Sequence, residues 1–116
     1  MPTIEDRFRG CLVGGATGDA LGAPIEFFSK ADINERYGDE GIRELEPSYG
    51  VVGAITDDTQ MTLFTAEGCI RYGNIAVDVD LTRLTQSIRL AYQRWFDTQQ
   101  SAHQGSESES VKGGYL

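Results

Sequence analysis

The segment from Leu81 to Phe96 carries the clearest periodic pattern in this sequence and constrains the fold more than any other stretch. Its apolar residues follow one another at steps of three and four: Leu81, Leu84, Ile88, Ala91 and Trp95. Steps of this length place the side chains along one face of an α-helix. Asp78 or Asp80 precedes the segment, and either is suited to cap its first turn. The pattern therefore predicts a helix over 81–96 with one buried face.

Two pairs of capping residues predict further helices near the N-terminus. Thr3 and Asp6 have the spacing of a capping box, in which each side chain accepts a hydrogen bond from the other residue's backbone. They predict a helix over 3–21. Ser29 and Asp32 repeat this spacing and predict a short second helix, which the following glycine ends.

The first of these helices carries a stripe of apolar and small residues. The residues predicted to form its buried face are Phe8, Cys11, Leu12, Gly15 and Ala16. One more step along this stripe leads to Asp19. A carboxylate on the buried side of a helix is costly unless it is paired, hydrogen-bonded or bound to a metal. Gly14, Gly15 and Gly18 lower helix propensity, and we expect them to allow another backbone to approach closely.

A third helix is expected over about 58–72, with Gly73 following its last turn. Its apolar residues are Met61, Leu63, Phe64, Ala66 and Ile70, together with Gly68. Because they occupy more than one face, the helix is predicted to be buried on most sides. Burial on that scale would hold the polar residues at its N-terminus in fixed positions.

The remaining segments have weaker patterns. Residues 39–53 mix charged residues with glycine and proline, and predict an irregular connection with one short extended piece at Ile42–Leu45. Residues 98–116 are polar and low in complexity, and predict a flexible loop or tail. His103, the single histidine, lies inside this tail, where a ligand or catalytic role is not expected.

The bulk properties limit the classes of function. A chain of 116 residues is long enough for one small domain. The formal net charge of -8 argues against nucleic-acid binding, which usually requires a basic face. The sequence has no apolar run long enough to span a membrane and no secretory pattern, so a cytoplasmic location is expected. Cys11 and Cys69 are predicted to be buried, reduced thiols.

A compact group of oxygen-bearing side chains lies just before the third helix. Thr56, Asp57, Asp58 and Thr59 follow one another directly. Asp is a good helix cap, and its charge is favoured at the N-terminus of a helix, so this group has a purely structural explanation. The same residues also make a set of hard oxygen ligands suited to Mg²⁺, Ca²⁺ or Mn²⁺. Taken alone, the residues leave both interpretations open.

Three motifs together resemble the ADP-ribosylglycohydrolase family, whose members remove ADP-ribose from modified proteins and related compounds. The motifs are Gly10-Cys11-Leu12-Val13-Gly14-Gly15-Ala16-Thr17-Gly18-Asp19-Ala20-Leu21-Gly22, then Pro24-Ile25-Glu26-Phe27, then Thr56-Asp57-Asp58-Thr59-Gln60-Met61. Their order and separation make the signature fairly specific, and Trp95 also fits the family pattern. The resemblance covers about Asp6 to Trp95.

The resemblance implies an all-α orthogonal helical bundle with a two-metal Mg²⁺ site, in which Mn²⁺ could replace Mg²⁺. Thr56, Asp57 and Asp58 would be the first group of metal ligands. Glu26 would be the catalytic acid that acts on the scissile ribose bond or its attacking water, although a solvent-facing loop acid explains it equally well when it is taken alone. The substrate-binding residues would include Asp19, which supports the site from behind, and Gly53.

One feature departs from the family pattern. The family's second group of metal ligands lies far downstream in a longer chain, and nothing after Asp80 matches it. Residues 1–97 would then form the N-terminal part of the helical domain, as a fragment, as a truncated product, or as one piece completed by a second polypeptide or by self-association. The isolated chain would have little or no activity. The alternative is a non-catalytic helical interaction module, in which the acidic cluster only caps a helix. The hydrolase requires Glu26 close to Asp57 and Asp58, and the module does not.

Overall fold

The computed structural model of the protein describes residues 1–104, with side chains described up to residue 100. The elements, in chain order, are α1 (Ile4–Gly22), a single turn of 3-10 helix (Ala23–Ile25), α2 (Lys30–Tyr37), β1 (Pro47–Ser48), β2 (Val51–Val52), α3 (Asp57–Gly73) and α4 (Leu81–Gln104). Helices dominate, which confirms the predicted all-α class. No helix in the described part of the chain is both long enough and apolar enough to cross a membrane.

The helix starts agree with the capping pattern of the sequence. Thr3 caps α1 and Ser29 caps α2, and each forms the full reciprocal capping box with the aspartate three residues later. At α4 the cap is Asp80, whose Oδ1 accepts hydrogen bonds from the backbone N–H groups of Thr82 and Arg83. These signals are local, so they could be read from the sequence without knowledge of the fold.

The one extended segment lies elsewhere than predicted. Ile42–Leu45 is not a strand; instead β1 and β2 pair as a two-residue antiparallel hairpin. Between them, Tyr49 and Gly50 have φ values of 50° and 81°. Positive φ at both central residues is what a tight hairpin turn of type I′ requires. The turn residues therefore decide where the chain reverses, and the apolar residues at 42 and 45 do not.

The described chain divides into two compact units, and the boundary lies after Thr59. In the first unit, Ala20 and Ala23 are the buried apolar residues. The predicted stripe on α1 is only partly buried, because Leu12 and Ala16 are half-buried while Phe8 remains 69% exposed. The prediction that the whole stripe is buried was therefore wrong for the described residues of this unit, whose buried apolar residues are small and lie at the end of α1.

The second unit is built on close packing of α3 and α4. A Cβ atom added at Gly68 would lie 2.9 Å from the Cα of Ile88 and 3.3 Å from the Cβ of Ala91, which is fully buried. The backbone carbonyl of Gly68 also accepts a hydrogen bond of 2.8 Å from the hydroxyl of Ser87. Gly68 is thus the glycine that allows a second backbone to approach. The role was predicted for Gly14, Gly15 and Gly18, where an added Cβ would meet nothing within 4 Å among the described residues.

Most of the predicted buried face of α4 is confirmed. Ala91 is buried, and Leu84, Ile88 and Trp95 are half-buried. Leu81 is an exception at 71% exposure, because it lies in the first turn, where the described residues of this unit do not cover it.

The helix α4 also continues beyond its predicted end at residue 96. The structure includes 98–104, part of the predicted flexible tail, in this helix, and His103 with it. The hydroxyl of Thr98 donates to the carbonyl of Trp95 at 2.6 Å, and the amide of Gln99 donates to Gln60 Oε1 at 3.2 Å. Polar composition was a misleading signal here, because Gln and Ala are good helix formers. The rest of the predicted tail, 105–116, lies outside the described residues.

Both cysteines are exposed and not disulfide-bonded, so the prediction of buried thiols was wrong. Cys11 lies on the uncovered stripe of α1. Cys69 follows Gly68, and one residue turns the side chain by about 100° around a helix. The side of α3 that faces α4 at Gly68 is therefore not the side on which Cys69 lies.

The two classes of helical glycine predict opposite effects of the same substitution. Gly15→Ala should raise the free energy of unfolding by about 1 kcal/mol, because alanine favours the helix and its Cβ meets open space. Gly68→Ala should lower it by about 1–3 kcal/mol, because the new Cβ overlaps the backbone of Ile88. Urea unfolding followed by circular dichroism measures both. A stabilising Gly68→Ala would contradict the close packing of α3 on α4.

Candidate functional site

The candidate site is built around the first turn of α3. Because the helix begins at Asp57, Thr56 occupies the N-cap position. Its hydroxyl oxygen accepts a hydrogen bond of 3.2 Å from the backbone N–H of Asp58, the usual geometry of a threonine cap. Thr56 is therefore a cap of α3, and the helix dipole remains a structural explanation for the two aspartates that follow it.

A carboxylate from α1 completes this cap. Asp19 accepts four hydrogen bonds: from the N–H and the hydroxyl of Thr56, at 2.7 and 2.6 Å, and from the N–H and the hydroxyl of Thr59, at 3.2 and 2.5 Å. The partners lie 37 and 40 residues along the chain from Asp19. The core-facing carboxylate that the sequence singled out thus receives the hydrogen bonds that its burial requires.

The arrangement is a capping box assembled from two helices. In an ordinary box, an acidic residue at the third helical position accepts the N–H of the cap residue. Here Thr59 occupies that third position, and Asp19 supplies the carboxylate instead. Thr59 is 7% exposed, so its hydroxyl is held away from water and points to Asp19. No separate role was predicted for Thr59, although its spacing of three residues from Thr56 matches that of a capping box.

These hydrogen bonds determine the ionisation of Asp19. Partial burial raises the pKa of its carboxyl group, but the hydrogen bonds from the side chains and backbone of Thr56 and Thr59 together outweigh burial, so the pKa lies below its ordinary value. Asp19 is therefore charged at neutral pH. Its four hydrogen bonds fill the usual acceptor capacity of a carboxylate, which fits support of α3. Contact of Asp19 with substrate stays a prediction.

Asp57 and Asp58 occupy the first two positions of α3, and both are exposed. The N-terminal end of a helix favours negative charge, so two adjacent carboxylates are tolerated there. Since Thr56 and Asp19 form the cap, neither carboxylate is needed to cap the helix.

The donor set partly fits a divalent cation. Thr56 donates its hydroxyl proton to Asp19 and accepts one hydrogen bond from Asp58, which leaves one lone pair on its oxygen. That lone pair and two exposed carboxylates are the hard oxygen donors that Mg²⁺ prefers, but Mg²⁺ takes about six ligands. No group of three His, Cys, Asp or Glu side chains that could hold a metal ion occurs among residues 1–104. The metal site stays a prediction.

Glu26 lies directly after the 3-10 turn, and its side chain is exposed. The structure does not bring Glu26 together with Asp57 and Asp58 as a metal-binding group of three acids within the described chain. Of the predicted site residues, it brings together Asp19 and Thr56.

Gly53 has a conformational reason to be glycine. Its φ of 71° is strained for other residues, and an added Cβ would lie 3.2 Å from Leu45 Cδ1. Its N–H also donates to the carbonyl of Glu46 at 3.4 Å. Gly53 thus shapes the turn that leads into the Thr56 motif, and its role in substrate binding stays a prediction.

Comparisons with known proteins agree on one family. The sequence model described as ADP-ribosylglycohydrolase matches residues 1–114. The ADP-ribosyl-[dinitrogen reductase] glycohydrolase of Rhodospirillum rubrum is 38% identical over 82 residues, which are 66% of this chain and 26% of that protein. ADP-ribosylarginine hydrolase Tri1 of Serratia proteamaculans is 36% identical over 86 residues, which are 72% of this chain and 22% of that protein.

A further relative, from Archaeoglobus fulgidus, is 41% identical over 70 residues, which are 58% of this chain and 22% of that protein. The chain therefore spans about a quarter of the length of the curated relatives that it matches. No solved structure matches it.

The hydrogen bonds of Asp19 predict a specific dependence of stability on pH. A carboxyl whose pKa is lower in the folded chain than its unfolded value of about 3.9 stabilises the fold above that pH, and the contribution is lost as the pH falls through the folded pKa. Asp19→Asn should lower the free energy of unfolding by about 2 kcal/mol at pH 7. The gap to wild type should shrink below about pH 4.

Urea unfolding of both proteins across this pH range measures the gap. Glu44→Gln is the control, since Glu44 is an exposed acid outside the cap. A gap that stays constant from neutral to acidic pH would show that the charge of Asp19 contributes nothing to the cap.

Proposed function

The chain belongs to the ADP-ribosylglycohydrolase family, and from this membership we propose that it is the N-terminal part of a hydrolase that removes ADP-ribose from modified proteins or small ADP-ribosyl compounds. Two relatives support the reaction class, since one is named as a glycohydrolase of an ADP-ribosylated reductase and the other as an ADP-ribosylarginine hydrolase.

The hydrogen bonding at the start of α3 is the observation that supports the proposal. Thr56 and Asp19 satisfy the backbone N–H groups of the first turn, including those of Asp58 and Thr59. The helix dipole favours negative charge in this turn, which accounts for acidic residues there. Two adjacent exposed carboxylates beside a capping threonine also form a set of hard oxygen donors that suits a divalent cation.

That cation would be Mg²⁺, or Mn²⁺ in its place, held by Thr56, Asp57 and Asp58 as the first half of a two-metal site. Metal ions of this kind supply polarisation of oxygen atoms, orientation of sugar hydroxyls and compensation of phosphate charge. Such compensation explains how a chain with a net charge of -8 could bind the anionic diphosphate of ADP-ribose.

Glu26 would be the residue that moves a proton in the reaction, at the scissile ribose bond or at the attacking water. Its exposed carboxylate is accessible to a substrate, which a general acid or base must reach within hydrogen-bond distance. Gly53 would line the approach to the substrate in the turn that leads to Thr56. Asp19 would act behind the metal ligands by holding Thr56.

The remaining ligands would come from outside this sequence, whether from the same polypeptide, from a second polypeptide or from a second copy of the chain. Three side chains supply only half of the ligands that one Mg²⁺ takes. Large apolar side chains also remain exposed in the described chain, including Phe8, Phe27, Leu81 and Phe96. Such surfaces are typical of regions that another chain covers. A cytoplasmic location stays a prediction of the sequence.

The same exposed side chains favour the second candidate, a helical interaction module without catalysis. It would require neither a metal nor the approach of Glu26 to Asp57. Binding of Mg²⁺ therefore separates the two functions.

The proposed site predicts stabilisation of the 116-residue chain by Mg²⁺ together with ADP-ribose. At 100 times its dissociation constant, a ligand that binds only the native state adds about 2.7 kcal/mol, which raises the midpoint of thermal unfolding by several degrees. Asp57→Ala should abolish the shift, because it removes a ligand. Asp39→Ala should retain it, because Asp39 is an exposed loop acid outside the site.

Differential scanning fluorimetry of the wild-type chain, Asp57→Ala and Asp39→Ala, with and without the ligands, measures the shift of the unfolding midpoint. A cooperative transition that neither ligand moves in the wild-type chain would favour the interaction module. The absence of any cooperative transition would favour a chain that folds only with its complement.

A further inference from the structure

Thr59 makes the shortest hydrogen bond to Asp19. Its hydroxyl donates to Oδ2 at 2.5 Å, and its N–H reaches the same oxygen at 3.2 Å. The N–H of Thr56 also donates to Oδ2, at 2.7 Å, whereas the hydroxyl of Thr56 donates to Oδ1 at 2.6 Å. Thr59 thus supplies two of the three hydrogen bonds to Oδ2, while Oδ1 accepts the hydroxyl of Thr56.

This geometry decides which way the hydroxyl of Thr56 points. A threonine hydroxyl has one proton and two lone pairs. The proton of Thr56 is committed to Asp19, and one lone pair accepts the N–H of Asp58. The second lone pair of Thr56 is thereby left available as an oxygen donor to a cation. If the carboxylate of Asp19 could rotate, the hydroxyl of Thr56 could turn its proton toward the cation. The proton would then repel the cation, and the oxygen could not coordinate it.

We propose that Thr59 is a positioning residue, which acts through Asp19 to hold the hydroxyl of Thr56 with a lone pair directed at the metal position. The inference rests on the proposed function, because it requires a cation at Thr56, Asp57 and Asp58. It adds a residue that touches neither metal nor substrate. Losing such a supporting partner costs about 10–100-fold in metal affinity in other metal sites.

The test is a titration of the ¹⁵N-labelled 116-residue chain with Mn²⁺, followed by nuclear magnetic resonance. Bound Mn²⁺ is paramagnetic and broadens nearby amide signals, so it reports weak binding at an identified position. In the wild-type chain the signals of Thr56, Asp57 and Asp58 should broaden first, and added Mg²⁺ should reverse the broadening. Thr59→Val, which keeps the shape but removes the hydroxyl, should require about tenfold more Mn²⁺ for the same effect.

Two further variants separate positioning from stability. Thr59→Ser keeps the hydroxyl and should respond within about twofold of wild type, since the hydrogen bond to Asp19 remains. Thr65→Val is the matched control on the same helix. The hydroxyl of Thr65 bonds the carbonyl of Met61 and the hydroxyl of Tyr92, so its loss destabilises α3 without touching the cap. It should leave the Mn²⁺ response unchanged.

A double-mutant cycle tests whether Thr59 acts through Asp19. If it does, Asp19→Asn and Thr59→Val together should cost less affinity for Mn²⁺ than the sum of the single losses, because both break the same hydrogen bond. Full additivity would overturn the inference. So would a Thr59→Val chain that binds Mn²⁺ as tightly as wild type, or a Thr59→Ser chain or a Thr65→Val chain that loses about tenfold.

The proposed function and the inference fail in distinguishable ways. Without selective broadening in the wild-type chain, the metal site itself is refuted, and the positioning role falls with it. Selective broadening that is equal in wild type and Thr59→Val refutes the positioning role alone. Hydrogen exchange of the Thr56 amide in the metal-free chain is an independent measurement. Thr59→Val should accelerate it several-fold if Thr59 holds Asp19 in place, because the Thr56 N–H donates to the same oxygen.

Discussion

The carboxylate of Asp19 is the interaction on which the candidate site depends. It joins the last part of α1 to the first turn of α3 through four hydrogen bonds, all from Thr56 and Thr59. Hydrogen bonds to a charged group are worth more than neutral ones, and leaving a half-buried carboxylate without them would be costly. The position of Thr56 and the start of α3 are therefore both set by a residue 37 positions earlier in the chain.

A different principle holds the second unit together. Gly68 on α3 faces the backbone of Ile88 and the side chain of Ala91 on α4, and its lack of a side chain lets the two backbones approach. Polar contacts accompany this packing: Gln60, which is 7% exposed, accepts the indole N–H of Trp95 at 3.0 Å. Tyr72 is a buried large side chain among the described residues of this unit, whereas Ile70 and Phe96 stay exposed.

The sequence predicted local features well and distant ones poorly, for physical reasons. The capping boxes of α1 and α2 depend on residues three positions apart, and both were identified. The need of Asp19 for a partner followed from its place on the helix, but Thr56 and Thr59 could not be identified because the fold alone brings them close. Burial of Phe8 and Cys11 was predicted from periodicity, which tells which side chains share a face and not whether another element covers that face. The helical end of α4 was missed because its polar residues carry no apolar periodicity in the sequence.

In the first turn of α3, Thr56 and Asp19 form the cap, while Asp57 and Asp58 carry the exposed charges. If Asp57 capped α3, its carboxylate would accept hydrogen bonds from the backbone N–H groups and could not serve as a ligand for a cation. With Thr56 as the cap and Asp19 as its acid, the two carboxylates instead occupy the first turn, where the helix dipole favours their charge. The same dipole disfavours a cation, so a metal at this position needs more than one carboxylate to be held. Two consecutive aspartates after a capping threonine meet that electrostatic requirement, which a single capping aspartate would not.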